Sequence, residues 1–167
     1  PILYRNTVSM MAPDTPGYHF NTDIANDAIG WLHTHQSLAP GKPYFLYFAP
    51  GATHAPHHVA PEWIAKYRGK FDAGWDEMRK LTFARQKKLG VIPKDAKLTE
   101  RPAELPAWDS LSPDARRLYA RQMEVYAGFL EQTDHEIGRM IDEARKGPGG
   151  DNTLVIYIMG DNGASAE

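Results

Sequence analysis

The sequence contains no cysteine in its 167 residues. Disulfides, thiolate zinc sites and a cysteine nucleophile are therefore excluded within it. Neither sign of charge is in surplus: 19 Lys and Arg stand against 21 Asp and Glu, a formal net charge of −2. Without a basic excess the chain lacks the electrostatic footprint that nucleic acid or an anionic membrane surface would need. Long apolar runs are missing as well. The longest, residues 44–49 and 154–159, fall far short of the ~20 residues that cross a bilayer as a helix, so no membrane span is expected. No internal repeat, low-complexity tract, phosphate-cradling glycine motif or Gly-x-Ser-x-Gly elbow occurs.

What is present suffices for a core. At 42% hydrophobic and 24% charged residues the composition is that of a globular chain, and the length fits one domain or a piece of a larger one. The chain starts at Pro1 and stops at Glu167, just past an apolar run and a Gly-rich loop. Both ends read as cuts, so the whole of residues 1–167 is expected to be an internal segment with no separate domains.

Residues 1–20 hold Pro1, Pro13 and Pro16, show no period, and read as loop. Asn21-Thr22-Asp23 offers N-caps for a helix that places Ile24, Ala28, Ile29 and Leu32 on one face. It should end near Gln36, before the breaker Ala39-Pro40-Gly41-Lys42-Pro43. Tyr44 to Phe48, proline-bounded and aromatic, predicts a strand buried on both faces. A loop over residues 51–58 follows, and Pro61 opens a short helix. A basic helix is expected over about 76–89, ending at Gly90, and its lysines and arginines read as a solvated face. Residues 91–112 form a surface excursion. Ser112-Pro113-Asp114 is a strong helix start, with a capping hydroxyl, a proline and an acid at the positive end. Tyr119, Met123, Tyr126, Leu130, Ile137 and Ile141 then mark one long amphipathic helix to about Lys146. After the turn at Asp151-Asn152, residues 153–159 predict a second buried strand. Helix, strand, helices, strand is an order that points to an α/β fold with helices packed over a sheet.

Candidate chemistry sits beyond the ends of the two predicted strands, where open α/β sheets bind ligands. Asp161-Asn162, flanked by Gly160 and Gly163, offers adjacent carboxylate and amide oxygens, hard donors suited to Ca²⁺ or Mg²⁺. Asp-Asn-Gly is equally a common turn sequence. The first loop carries His54, His57 and His58, able to bind an anion, move a proton or ligate a metal. His54 is the candidate catalytic residue; His57 and His58 are supporting or incidental. His19, His33, His35 and His135 read as solvated.

These segments together resemble the arylsulfatase-type sulfatases of the alkaline phosphatase superfamily. The resemblance is carried by residues 17–23 with 28–32, Pro43–Ala49 leading to Thr53-His54-Ala55-Pro56, residues 67–75, Met123–Ala127 through Arg139, and residues 151–163 with Gly160-Asp161-Asn162-Gly163. It implies the alkaline-phosphatase-like sandwich, a sheet with helices packed on both faces, and places residues 1–167 in the N-terminal catalytic domain. For His54 it implies contact with the sulfate or protonation of the leaving-group oxygen. For Asp161 and Asn162 it implies ligation of a divalent cation, usually Ca²⁺ with Mg²⁺ possible. The implied activity is hydrolysis of a small-molecule sulfate ester to an alcohol or phenol plus sulfate, with formylglycine hydrate as nucleophile. Formylglycine is made from Cys or Ser in a Cys/Ser-x-Pro-x-Arg motif, and Ser9, Ser37, Ser110, Ser112 and Ser165 all lie outside that pattern. The family's paired N-terminal aspartates, its upstream lysine and histidine, and its later lysine find no match either. The segment alone is therefore expected to be inactive. Rival readings are a phosphomonoester or phosphonate monoester hydrolase of the same superfamily, and a non-catalytic metal-binding or scaffold segment.

Overall fold

The computed structural model describes residues 2–160. Two compact units are present: one formed by residues up to Ala60 together with those from Leu130 on, the other by Pro61–Phe129. Among the described residues no helix is long and apolar enough to cross a membrane.

The first unit begins with a hairpin, β1 (Ile2–Arg5) and β2 (Val8–Met11), in the register Ile2↔Met11 to Arg5↔Val8. This corrects the expectation of a loop. Two residues join the strands, and Asn6 takes the left-handed conformation (φ 55°) that such a tight turn requires. Arg5 grips Asp27 of the following helix with two hydrogen bonds of 2.9 Å.

That helix, α1 (Phe20–Leu38), has His19 as its N-cap and ends at Ala39, ahead of Pro40. Its buried positions are Asn21, Ala25 and Leu32, with Leu32 fully enclosed. The partner face comes from the second half of α4 (Pro113–Lys146). Asn21 Nδ2 donates to Gln132 Oε1 at 3.3 Å and Thr133 Oγ1 at 2.9 Å, and Thr22 Oγ1 donates to Glu136 Oε1 at 2.7 Å. Arg139 donates to Asn26 at 2.7 Å, and His33 meets Glu143 at 3.0 Å. Partner numbers rise together along both helices, so the two run parallel, joined by a ladder of polar bonds. Such a ladder is strong only when complete, because each buried polar atom left alone costs about 1–3 kcal/mol.

The second unit contains α2 (Pro61–Ala65), α3 (Gly74–Leu89), a single 3-10 turn at Trp108–Ser110 and the first half of α4. Asp76 organises the excursion over residues 91–112. Its carboxylate accepts from the Trp108 N–H at 2.8 Å and from Arg101 at 3.0 Å. The Trp108 amide first, then the Arg101 guanidinium, holds that carboxyl below its ordinary range. Trp75 stands edge-on to Trp108 with ring centres 4.9 Å apart. Gly74 has φ 76°, and a Cβ there would lie 2.1 Å from the Trp108 ring. Gly74→Ala should therefore destabilise the protein by about 2–5 kcal/mol, combining backbone strain with overpacking. Urea unfolding measures it, and an unchanged midpoint would contradict the packing of Trp108 over Gly74. Nearby, buried Glu124 accepts from the Gly69 N–H at 2.8 Å and from Arg121 at 2.7 Å. Burial pushes its pKa up, but those two partners outweigh burial and the carboxyl stays below its usual range.

Two further expectations are corrected. Residues 44–48 and 153–159 form no strand, and the β1–β2 hairpin is the sole sheet among the described residues. A sheet with helices on both faces is thus not found there, and the described chain is helix-rich. The physical reason is that a strand exists only through a neighbour's ladder, and neither segment has one beside it. Residues 44–50 nevertheless alternate strictly between half-buried and exposed, with Phe45 88% and Tyr47 79% accessible. Leu154, Ile156 and Ile158 are likewise exposed. The second correction concerns α4. It runs over the expected residues, with Ser112 Oγ accepting the Ala115 N–H at 3.2 Å. Its buried residues, however, include Ala120, Glu124, Ala127, Gln132, Thr133, Glu136 and Ala144, small or polar, with Phe129 the one large apolar side chain among them, while Tyr119, Met123 and Leu130 of the expected apolar stripe are exposed. Small residues admit close approach: an added Cβ on Gly128 would meet the backbone of Trp63 and Ile64 at 3.0 Å.

Candidate functional site

The loop over residues 51–58 leaves the apolar segment 44–48 and turns tightly, which its glycine, proline and small residues allow. Two of its peptide bonds, Ala52–Thr53 and Ala55–Pro56, are cis. The His54 N–H donates to Gly51 O and the His58 N–H to Pro56 O, both at 3.0 Å. These turns carry three imidazoles within five positions.

His54 is exposed at the loop's surface. Its Nδ1 lies 2.6 Å from the Ala55 carbonyl oxygen. A carbonyl only accepts, so Nδ1 carries a hydrogen, and the lone pair of the neutral ring falls on Nε2. The protonated ring has a donor at Nε2 as well, directed by the anchored Nδ1 side. That is the arrangement a general acid needs: one nitrogen orients, the other transfers the proton. His57, left open by the sequence, donates from Nε2 to the Thr53 carbonyl at 3.0 Å and so braces the loop across its own turn. His58 contributes through its backbone, since its carbonyl oxygen lies 2.8 Å from His19 Nε2.

His19, read from sequence as solvated, is thus a structural histidine. Its Nδ1 accepts the Asn21 N–H at 3.2 Å, which is the N-cap bond of α1. The local signal was its position directly before the helix; the bond to His58, 39 residues away, had none. His33 and His35 also have partners. His33 meets Glu143, and His35 lies 3.0 Å from the Lys42 carbonyl and stacks on Trp31 with ring centres 5.2 Å apart. Around His33 a shallow groove is lined by Ile29, Arg139, Asp142, Glu143 and Lys146. Lys146 first, then His33, holds the Glu143 carboxyl below its usual range, so the groove's charges are largely compensated within it. Tyr18 is bonded to Asp23 at 2.9 Å, and burial followed by that bond pushes its hydroxyl up to about 12.

Asp161 and Asn162 lie outside the described residues. Among the described residues, no group of three His, Asp or Glu side chains is gathered to hold a metal ion.

The family model described as Sulfatase matches residues 3–167. An uncharacterized sulfatase of Schizosaccharomyces pombe is 40% identical over 124 residues, covering 72% of this chain and 22% of that protein. An arylsulfatase of Klebsiella aerogenes is 31% identical over 124 residues, covering 74% of this chain and 26% of that protein. The chain therefore spans about a quarter of the length of these curated relatives.

Proposed function

The chain belongs to the sulfatase family, and from that premise we propose that the whole protein hydrolyses a small-molecule sulfate ester to an alcohol or phenol plus sulfate, with His54 as the proton donor. The observation that carries this reading is the orientation of His54 by its own loop, Nδ1–H on the Ala55 carbonyl at 2.6 Å. Breaking the ester S–O bond leaves negative charge on the departing oxygen. The protonated His54 ring neutralises it by giving up its Nε2 proton, and becomes the neutral tautomer already favoured by the anchored Nδ1–H. Proton and electron pair both end on the leaving alcohol.

Asp161 and Asn162 are the residues proposed to hold a divalent cation, Ca²⁺ or else Mg²⁺, because a carboxylate and an amide oxygen are the hard donors those ions prefer. Such a cation would supply Lewis-acid polarisation of the anionic sulfate. The nucleophile, a formylglycine in the family's pattern, would come from residues other than these 167, none of which carries the required motif.

The same premise extends to the fold. We infer that residues 44–48 and 153–159, which form no strand in the described chain, pair in the whole protein into the family's central sheet, with helices packed on both faces. In support, residues 44–50 alternate with the two-residue period of a strand, both segments expose large apolar side chains, and α4 turns Tyr119, Met123 and Leu130 outward. An apolar surface of that kind belongs against other chain.

Side-by-side assay of the whole protein on p-nitrophenyl sulfate and p-nitrophenyl phosphate tests the reaction class. Faster release from the sulfate is expected. Faster release from the phosphate would favour a phosphomonoester hydrolase, and no turnover of either by metal-loaded protein would favour a scaffold.

A further inference from the structure

We propose that His19 is a positioning residue for His54, fixing the far end of the 51–58 loop to the start of α1 through the His58 carbonyl. The inference rests on the reading of His54 as proton donor. It begins from one imidazole bonded at both nitrogens. Nδ1 accepts the Asn21 N–H at 3.2 Å, so the proton of the neutral ring must be on Nε2, and Nε2–H donates to His58 O at 2.8 Å. Each bond selects the tautomer that the other requires.

What stands behind His19 is rigid. Asn21, two residues on, is 3% exposed and bonded to both Gln132 and Thr133 of α4, and Thr22 is bonded to Glu136. Hydrogen bonds accepted at Gly51, Thr53, Ala55 and Pro56 are local. They shape the loop without relating it to the helices. The bond from His19 does relate it, joining His58 to the buried α1–α4 ladder within the same unit. Because proton transfer depends steeply on distance and alignment, a loop released at one end should react more slowly without losing its fold.

The cap and the tether can be separated. Asparagine is among the best N-caps but is too short to reach the His58 carbonyl. In the whole protein, His19→Asn should keep the unfolding temperature close to wild type and lower kcat on an alkyl sulfate about tenfold, with KM little changed. His19→Ala should lose the same rate and stability as well. In a His54→Ala background, His19→Asn should cost nothing further, since its effect passes through His54. Wild-type kcat in His19→Asn would overturn the proposal, and so would an undiminished loss in the His54→Ala background. If His54→Ala alone left kcat intact, the proton-donor reading would fail, and that single variant makes the two failures distinguishable. A measurement needing no substitution adds a check: ¹⁵N NMR of the wild-type protein should show His19 protonated at Nε2 and unprotonated at Nδ1. The opposite tautomer would overturn the tether.

Discussion

Replacing His54 by alanine in the whole protein should lower kcat for a sulfate ester with a poor leaving group, an alkyl sulfate, by about 10²- to 10⁴-fold, the range that a positioned general acid contributes. Bound divalent metal should stay at the wild-type level. The expectation follows from the ring's geometry. Its Nδ1–H is committed to the Ala55 carbonyl at 2.6 Å, and Nε2 is the nitrogen proposed to exchange the proton. The side chain is exposed on a loop, so its truncation opens no core cavity and the loss should appear in rate rather than stability. Joint measurement of kcat and metal content checks this. Loss of metal in the variant would make His54 a ligand instead of an acid.

Asp161→Ala should produce the other large loss. Its carboxylate is the strongest hard donor in the sequence Gly160-Asp161-Asn162-Gly163, and removing it should lower Ca²⁺ affinity and sulfate ester hydrolysis together. Raising Ca²⁺ should restore part of the activity, because occupancy of the site is what falls. Titration of activity against Ca²⁺ for wild type and variant gives both quantities. Wild-type hydrolysis at limiting Ca²⁺ would remove Asp161 from the metal site.

Helices were the most legible part of the fold because their signals are local. Ser112-Pro113-Asp114 marks the start of α4 and Lys146 its end, and Gly90, at φ 73°, terminates α3 where the sequence puts it. The hairpin was illegible because Asn6-Thr7 lacks the glycine of the commonest two-residue turns, and its strands show no apolar alternation. The face of α4 was misread for a different reason. Periodicity shows that Tyr119, Met123 and Leu130 share a stripe but not what lies beside it, and among the described residues it is Ala120, Glu124 and Ala127 that are buried instead. Residues 44–48 and 154–159 have the composition of strands, yet strand pairing is a tertiary property that no segment possesses alone.

Site residues divide in the same way. His54 stands in a local pattern, a His-x-Pro loop after an apolar run; the chain's resemblance to the sulfatases is borne out by the Sulfatase match over residues 3–167, and the role of His54 is the proposal built on it. Asp161 and Asn162 rest on donor chemistry and on that resemblance, outside the described residues. His19 was misread because one of its bonds spans 39 positions. A histidine directly before a helix, where a cap belongs, is the trace that sequence alone preserves.

Leaving-group dependence tests the central claim most directly. Turnover of a series of sulfate esters with departing alcohols or phenols of rising pKa should be compared between wild type and His54→Ala. With His54 protonating the departing oxygen, wild-type rates should depend weakly on that pKa. The variant's rates should fall steeply, leaving its deficit small for nitrophenyl sulfate and large for alkyl sulfates. Parallel dependences, with the same deficit across the series, would contradict the assignment of His54 as the proton donor.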